Sequence, residues 1–256
     1  MVSSRTSWGS LRPLGLAVAI LLAAVTAWGQ TEWTKNKGNP VDWDFTGQAA
    51  EKGNEEAFVW DLVRDVGTSS NQISFNQGAN GVWFFMQSTT LAQEESSYSL
   101  LTGYTTPCAE FGVEGLLCWY PQLPYTYESG FPWIGFNTTA DFPPSLPWPA
   151  RTLAMHPAPD KLAIVGWSSP VNDKIDIEGS FIDFDLGCGN GVAWFINRGN
   201  RTLDSGVLLP GPDTFHLSKV RISSGEVLYF IVDPLDNDYV CDWTGLNLTI
   251  RHHHGD

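Results

Sequence analysis

Lys174-Ile175-Asp176-Ile177-Glu178-Gly179-Ser180-Phe181 is the stretch that decides the fold. In an extended chain successive side chains point to opposite faces, so Ile175, Ile177, Gly179 and Phe181 share one side and Asp176, Glu178 and Ser180 the other. One face is buried and the other wet. Short apolar runs bounded by Gly, Pro, Asn and Asp recur at residues 81–86, 162–167, 192–196, 214–220, 227–232 and 246–250. No convincing amphipathic helix accompanies them. The pattern predicts an all-β chain, an antiparallel β-sandwich of the jelly-roll kind over residues 72–251. Trp83, Trp167 and Trp194 lie in these runs and are assigned to its core.

Upstream, residues 1–29 carry Arg5 and Arg12, no acid, an apolar run over 14–25 and small residues Ala27 and Gly29. This is the composition of a secretory signal peptide, and the run is short for a membrane span. An uncleaved anchor is the alternative, but Gln30-Thr31-Glu32 follows without a basic stop-transfer cluster. Residues 30–71 read as an irregular extension, in which Val41-Asp42-Trp43-Asp44-Phe45 alternates like an edge strand. Residues 57–63 fit a strand or a helical turn equally well. Residues 252–256, with His252, His253 and His254, read as a disordered tail.

The chain has 28 acids against 14 bases, a net charge of -14, and loss of the two leader arginines lowers that to -16. Such a balance disfavours nucleic acid and anionic lipid as partners. Charged residues make up 16% and aromatics 13%, with 25 Gly, 16 Pro and 12 Trp, the profile of an extracellular β-protein. Four cysteines suggest two disulfides. Cys108 and Cys118 flank a short Gly-containing loop, and Cys188 and Cys241 each sit in turns after strand-like runs, which predicts those two pairings. No C-x-x-C spacing supports a thiolate metal site. Asn137, Asn200 and Asn247 head N-glycosylation triplets.

Asn80-Gly81-Val82-Trp83-Phe84, the run from Leu153 to Asp160, the run from Ala163 to Pro170, the run from Gly187 to Val192 and the run from Asp238 to Ile250 occur in that order. Together they resemble a jelly-roll domain, similar to carbohydrate-binding modules, that recurs in secreted and cell-surface proteins of environmental bacteria. The resemblance covers about residues 72–251. It implies the sandwich fold, an extracellular address and contact with carbohydrate, with no settled activity. Gly166 departs from it where a basic residue is expected before the Trp, and residues 91–127 are more elaborate than it expects.

Sugar-binding modules set aromatic faces against the C–H groups of a pyranose. Trp119, Tyr120, Tyr125, Tyr127 and Trp133 crowd a Pro-rich stretch beside Cys118 and are the candidate platform, within a loop spanning 102–133. The alternative for each ring is that it covers the core. A second cluster is acidic: Asp185, Asp236, Asp238 and Asp242 suggest a structural calcium ion, although turn chemistry explains Asp-Asn-Asp as well. No other cofactor is signalled. Glu110, Glu114 and Glu128 lie near the aromatic loop and are the only motive for a polysaccharide-active enzyme. His156 and His216 read as structural, His156 fixing the turn before Pro157. The sequence thus predicts a secreted, non-catalytic module for carbohydrate or another matrix component. An acidic protein contacting calcium or mineral is the alternative.

Overall fold

The computed structural model describes residues 58–68, 82–139, 148–185 and 188–253. The chain divides into two units, Met1–Asp44 and Phe45–Asp256, and every described residue belongs to the second. The signal peptide and the Val41–Phe45 strand expected from sequence lie outside the described residues.

The described elements are β1 (Val59–Asp61), α1 (Leu62–Thr68), β2 (Trp83–Ser88), β3 (Tyr98–Leu100), β4 (Gly103–Thr105), β5 (Leu116–Tyr120), β6 (Trp133–Asn137) and β7 (Leu153–His156). They continue with β8 (Ala163–Ser168), β9 (Asp173–Asp183), β10 (Val192–Arg198), β11 (Arg201–Leu208), β12 (Pro212–Ile222), β13 (Val227–Pro234) and β14 (Thr244–His252). They form two antiparallel sheets. The larger runs β12-β9-β14-β7-β6-β5-β4 with β1 beside β14, and the smaller runs β11-β10-β13-β8-β2-β3. From β7 to β14 the chain crosses between sheets at every connection except the β10–β11 hairpin, which is how a jelly roll is wound. Among the described residues no helix is long and apolar enough to cross a membrane.

The alternation in β9 works as its sequence dictates. Ile175, Ile177 and Phe181 are buried in the core, and Glu178 is exposed on the far side. Ser180, expected wet, is instead buried, flanked in register by Thr214 and Asn247. Trp83, Trp167 and Trp194 all enter the core, and Trp194 stacks on Phe181 at 5.1 Å. Burial of such rings is the largest single source of stability available to a two-layer fold.

Two sequence boundaries move. The extension was expected to end at residue 71, yet β1 pairs with β14 and Leu62 and Val66 of α1 are fully buried in the sandwich core. The indole N–H of Trp83 donates to Asp65 at 3.0 Å, tying α1 to the smaller sheet. The reason is geometric: β7 covers β14 only over Thr244–Leu246, and β1 takes up the ladder at Thr249–Arg251. The expected tail starts too early as well. His252 ends β14 and pairs with Asp173 at 2.8 Å, and His253 pairs with Asp176 at 2.6 Å.

Candidate functional site

Strand ends gather at one end of the sandwich. Register places Trp133 opposite His156, Met155 opposite Thr244, and Thr244 opposite Asp183, so β6, β7, β14 and β9 deliver residues 121–132, 184–185, 188–191 and 235–243 to the same end of the sandwich. The disulfide Cys188–Cys241 joins two of these loops, with Cα atoms 5.8 Å apart. Cys108–Cys118, Cα atoms 4.9 Å apart, closes the other predicted loop. Both predicted pairings form.

The five nominated rings separate. Alternation along β5 sends Leu117 and Trp119 inward, where Trp119 meets Phe85 edge-on at 4.6 Å in the core. Tyr120 and Trp133 point outward but are also buried, because the Cys108 loop and residue 148 fold over that face. Trp133 is ringed by Phe111, Trp148 and Trp243 at 5.7, 5.8 and 5.9 Å. Trp119, Tyr120 and Trp133 therefore offer no face to a ligand, and their expected place in a platform is corrected to architecture. Tyr125 is half-buried against Tyr120 at 4.8 Å. Tyr127 alone of the five is widely exposed, at 66%.

Tyr127 has other partners. It meets Phe131 edge-on at 5.7 Å, and Phe131 meets Tyr239 edge-on at 5.4 Å. The neighbouring Tyr127 phenol, and then burial, raise the pKa of Tyr239. His156 closes the base, 4.8 Å from Phe131 and 6.1 Å from Tyr239. Its Nδ1 donates to the Pro157 carbonyl at 2.9 Å, and burial pushes its pKa down to about 4, so the ring is neutral at physiological pH. Tyr239 and Phe131 were not selected from sequence. Tyr239 sits in an acidic turn that looks like turn chemistry, and only the fold carries it across 108 positions to Phe131.

Several acids are perturbed. Burial lifts Glu110 to about 7, and its Oε2 has no partner among the described residues. Burial, then the like charges of Asp238, Asp183, Asp185 and Asp233, lifts Asp242 to about 8. Burial lifts Asp233 to about 6. Of the four acids read as calcium ligands, Asp242 is buried, Asp185 is half-buried, and Asp236 and Asp238 are both exposed. Among the described residues no three His, Cys, Asp or Glu side chains are already gathered for a metal ion.

The remaining nominated residues scatter. Asn137 is fully buried, its Nδ2 donating to the carbonyls of Trp148 and Pro149, so the amide that would carry a glycan is enclosed and that expectation is corrected. Asn200 is exposed at the β10–β11 turn and Asn247 is half-buried in β14. Glu114, Glu128 and His216 are exposed.

No protein-family model matches the chain, and no curated protein matches it. Solved structures similar to parts of it include the Clostridium perfringens ZmpB M60 catalytic domain with its CBM51-1 and CBM51-2 domains, at 12% identity and TM-score 0.33 over 40% of this chain and 11% of that one. Another is the CBM51 of Clostridium perfringens GH95 in complex with methyl-galactose, at 11% identity and TM-score 0.32, covering 64% of this chain and 99% of that one. A third is a CBM36 module in complex with calcium and xylotriose, at 17% identity and TM-score 0.27, covering 41% and 82%. The chain thus spans about a tenth of the ZmpB chain it matches. At these scores none of the likenesses bears on site or ligand.

Proposed function

We propose that the protein is a secreted, non-catalytic module that binds carbohydrate through Tyr127, Phe131 and Tyr239. The observation that carries this reading is the edge-to-face chain of those three rings, drawn from two loops 108 residues apart and ending in an exposed Tyr127. An exposed aromatic ring held edge-on by its neighbours suits the C–H face of a sugar. Two phenol hydroxyls beside it supply donors and acceptors for sugar hydroxyls. The loops are held in advance by the Cys188–Cys241 bridge and by Phe131 against His156, which lowers the ordering entropy that binding must overcome.

The test is a glycan array with the full chain, followed by calorimetry on the best ligand. Tyr127→Ala and Tyr239→Ala are each expected to weaken binding about tenfold or more, equivalent to about 1.4 kcal/mol, with little change in melting temperature. A blank array, or unchanged affinity in both variants, overturns the reading.

A further inference from the structure

Asn137, Asn200 and Asn247 each head an Asn-x-Thr triplet, and the fold treats their amides differently. Asn137 is fully buried in β6, and its Nδ2 donates to the carbonyls of Trp148 and Pro149 at 3.0 and 3.3 Å. A sugar on that nitrogen would remove one of these bonds and would have to lie in a closed interior, which the folded chain does not permit. Asn247 lies within β14 opposite Ser180, itself 1% exposed, and the Thr249 hydroxyl that completes its triplet hydrogen-bonds Asp61 of β1 at 3.5 Å. Asn200 is the contrast. It is exposed between β10 and β11, beside Gly199 at φ 57°, and Arg201 and Thr202 after it are exposed as well.

At Asn200 only the acceptor oxygen is engaged among the described residues. Oδ1 accepts the Glu95 N–H at 2.8 Å and so fastens residues 89–97 to the hairpin. The same segment is held by Tyr229, whose hydroxyl donates to Glu95 at 2.6 Å, and by Asn197, whose Nδ2 donates to Gln93 at 3.0 Å. Its Leu91 packs on the apolar group formed by Leu162, Ile164, Tyr229 and Ile231. We infer that Asn200, and neither Asn137 nor Asn247, carries an N-linked glycan on Nδ2 while its Oδ1 holds residues 89–97 in place. The donor is an oligosaccharide linked to a lipid pyrophosphate. Nδ2 forms a bond to its anomeric carbon, the bond from that carbon to the pyrophosphate oxygen breaks, Nδ2 gives up one proton, and the lipid pyrophosphate leaves. Oδ1 takes no part and keeps its bond to Glu95.

Register sets this hairpin at the far end of the sandwich from the exposed rings. β10 pairs with β13 from Val192 opposite Pro234 to Arg198 opposite Leu228, and the loop with Tyr239 follows Pro234. β10 has seven residues, so the glycan stands roughly 20 Å from that loop at about 3.3 Å per residue. The ring cluster is left open, and the inference is independent of what that cluster binds.

The test expresses the full chain behind a secretion signal in insect cells and maps glycopeptides of the soluble chain, from medium and cells, by mass spectrometry. Asn200 is expected to be occupied in most molecules, with Asn137 and Asn247 bare. Thr202→Ala and Asn200→Ala should each remove one glycan mass from the intact chain. Made in a bacterial host that adds no such glycan, Thr202→Ala should melt with the parent, and its loss of glycan then reports the triplet rather than the fold. Asn200→Ala should melt about 3 °C lower, because the Glu95 bond is lost. A bare Asn200, or a glycan at Asn137 or Asn247 at comparable occupancy, overturns the inference. So does an Asn200→Ala chain that melts with the parent, since the oxygen then holds nothing.

Discussion

Glu110 shows how one residue's surroundings set its behaviour. Its carboxyl is lifted by burial from the ordinary 4.5 to about 7, beside Tyr120, whose hydroxyl accepts the Glu110 N–H at 3.3 Å. A carboxyl with a raised folded-state pKa favours the fold while it is protonated. That contribution is fully present below about 4.5 and is lost as pH rises through about 7. Glu110→Gln should therefore flatten the stability profile over this window and stabilise the protein at pH 8, by roughly 1–3 kcal/mol. Chemical denaturation at pH 4.5 and pH 8 measures it, and parallel profiles for parent and variant would exclude Glu110 as the group. Gly179 makes the opposite point, since its lack of a side chain is structural. A Cβ there would lie 2.6 Å from Cζ of Phe215 and collide with the Asn247 carbonyl. Gly179→Ala should cost about 1–3 kcal/mol through overpacking, read as a fall in melting temperature of several degrees.

Between elements, the contacts of β14 govern stability at both ends. Near its C-terminal end Asp176 of β9 is desolvated, but hydrogen bonds from His253, Ser218 and the Lys219 N–H outweigh that and hold its carboxyl down at about 2. A lowered folded-state pKa gives stability that is present above 3.8 and lost as pH falls through about 2. Asp176→Asn should remove that acid-side loss, so that parent and variant converge in melting temperature at pH 2 and differ most above pH 4. At the other end, Cys188–Cys241 closes a separation of 53 residues just before β14 begins. By loop-closure entropy alone, replacing both cysteines with Ala should cost about 4 kcal/mol, measured by denaturant unfolding under oxidising conditions. On its flank β1 completes the ladder that β7 leaves open, and α1 buries Leu62 and Val66. Deleting residues 1–68 should thus lower the melting temperature by about 10 °C or cause aggregation through the unpaired segment of β14.

At the scale of the molecule, the two sheets form a scaffold whose strand ends carry the candidate site. Seven of its strands, the sandwich architecture, the strand-borne core tryptophans and both disulfide pairings were legible in the sequence, because a period of two and the spacing of turn residues are local properties of the chain; β4 and β5 were not, and they make part of the expected loop 102–133 into the edge of the larger sheet. Ile175, Ile177 and Phe181 announce their burial by their position alone. Exposure of the aromatic loop was not legible in that way. Tyr120 and Trp133 stand on the outward face of their strands and would be open to solvent there, had Phe111 and Trp148 not folded across them. Tyr239 looks like part of an acidic turn until the winding of the jelly roll sets it against Phe131 and Tyr127. Asp242 looks like one acid among 28 until its burial leaves two oxygens without a partner. The sequence by itself determined the layers, since alternation decides which face each strand must hide. Only the tertiary structure decided which rings and carboxylates meet at the surface, since that depends on covering loops and strand ends that are distant in the chain and adjacent only in space.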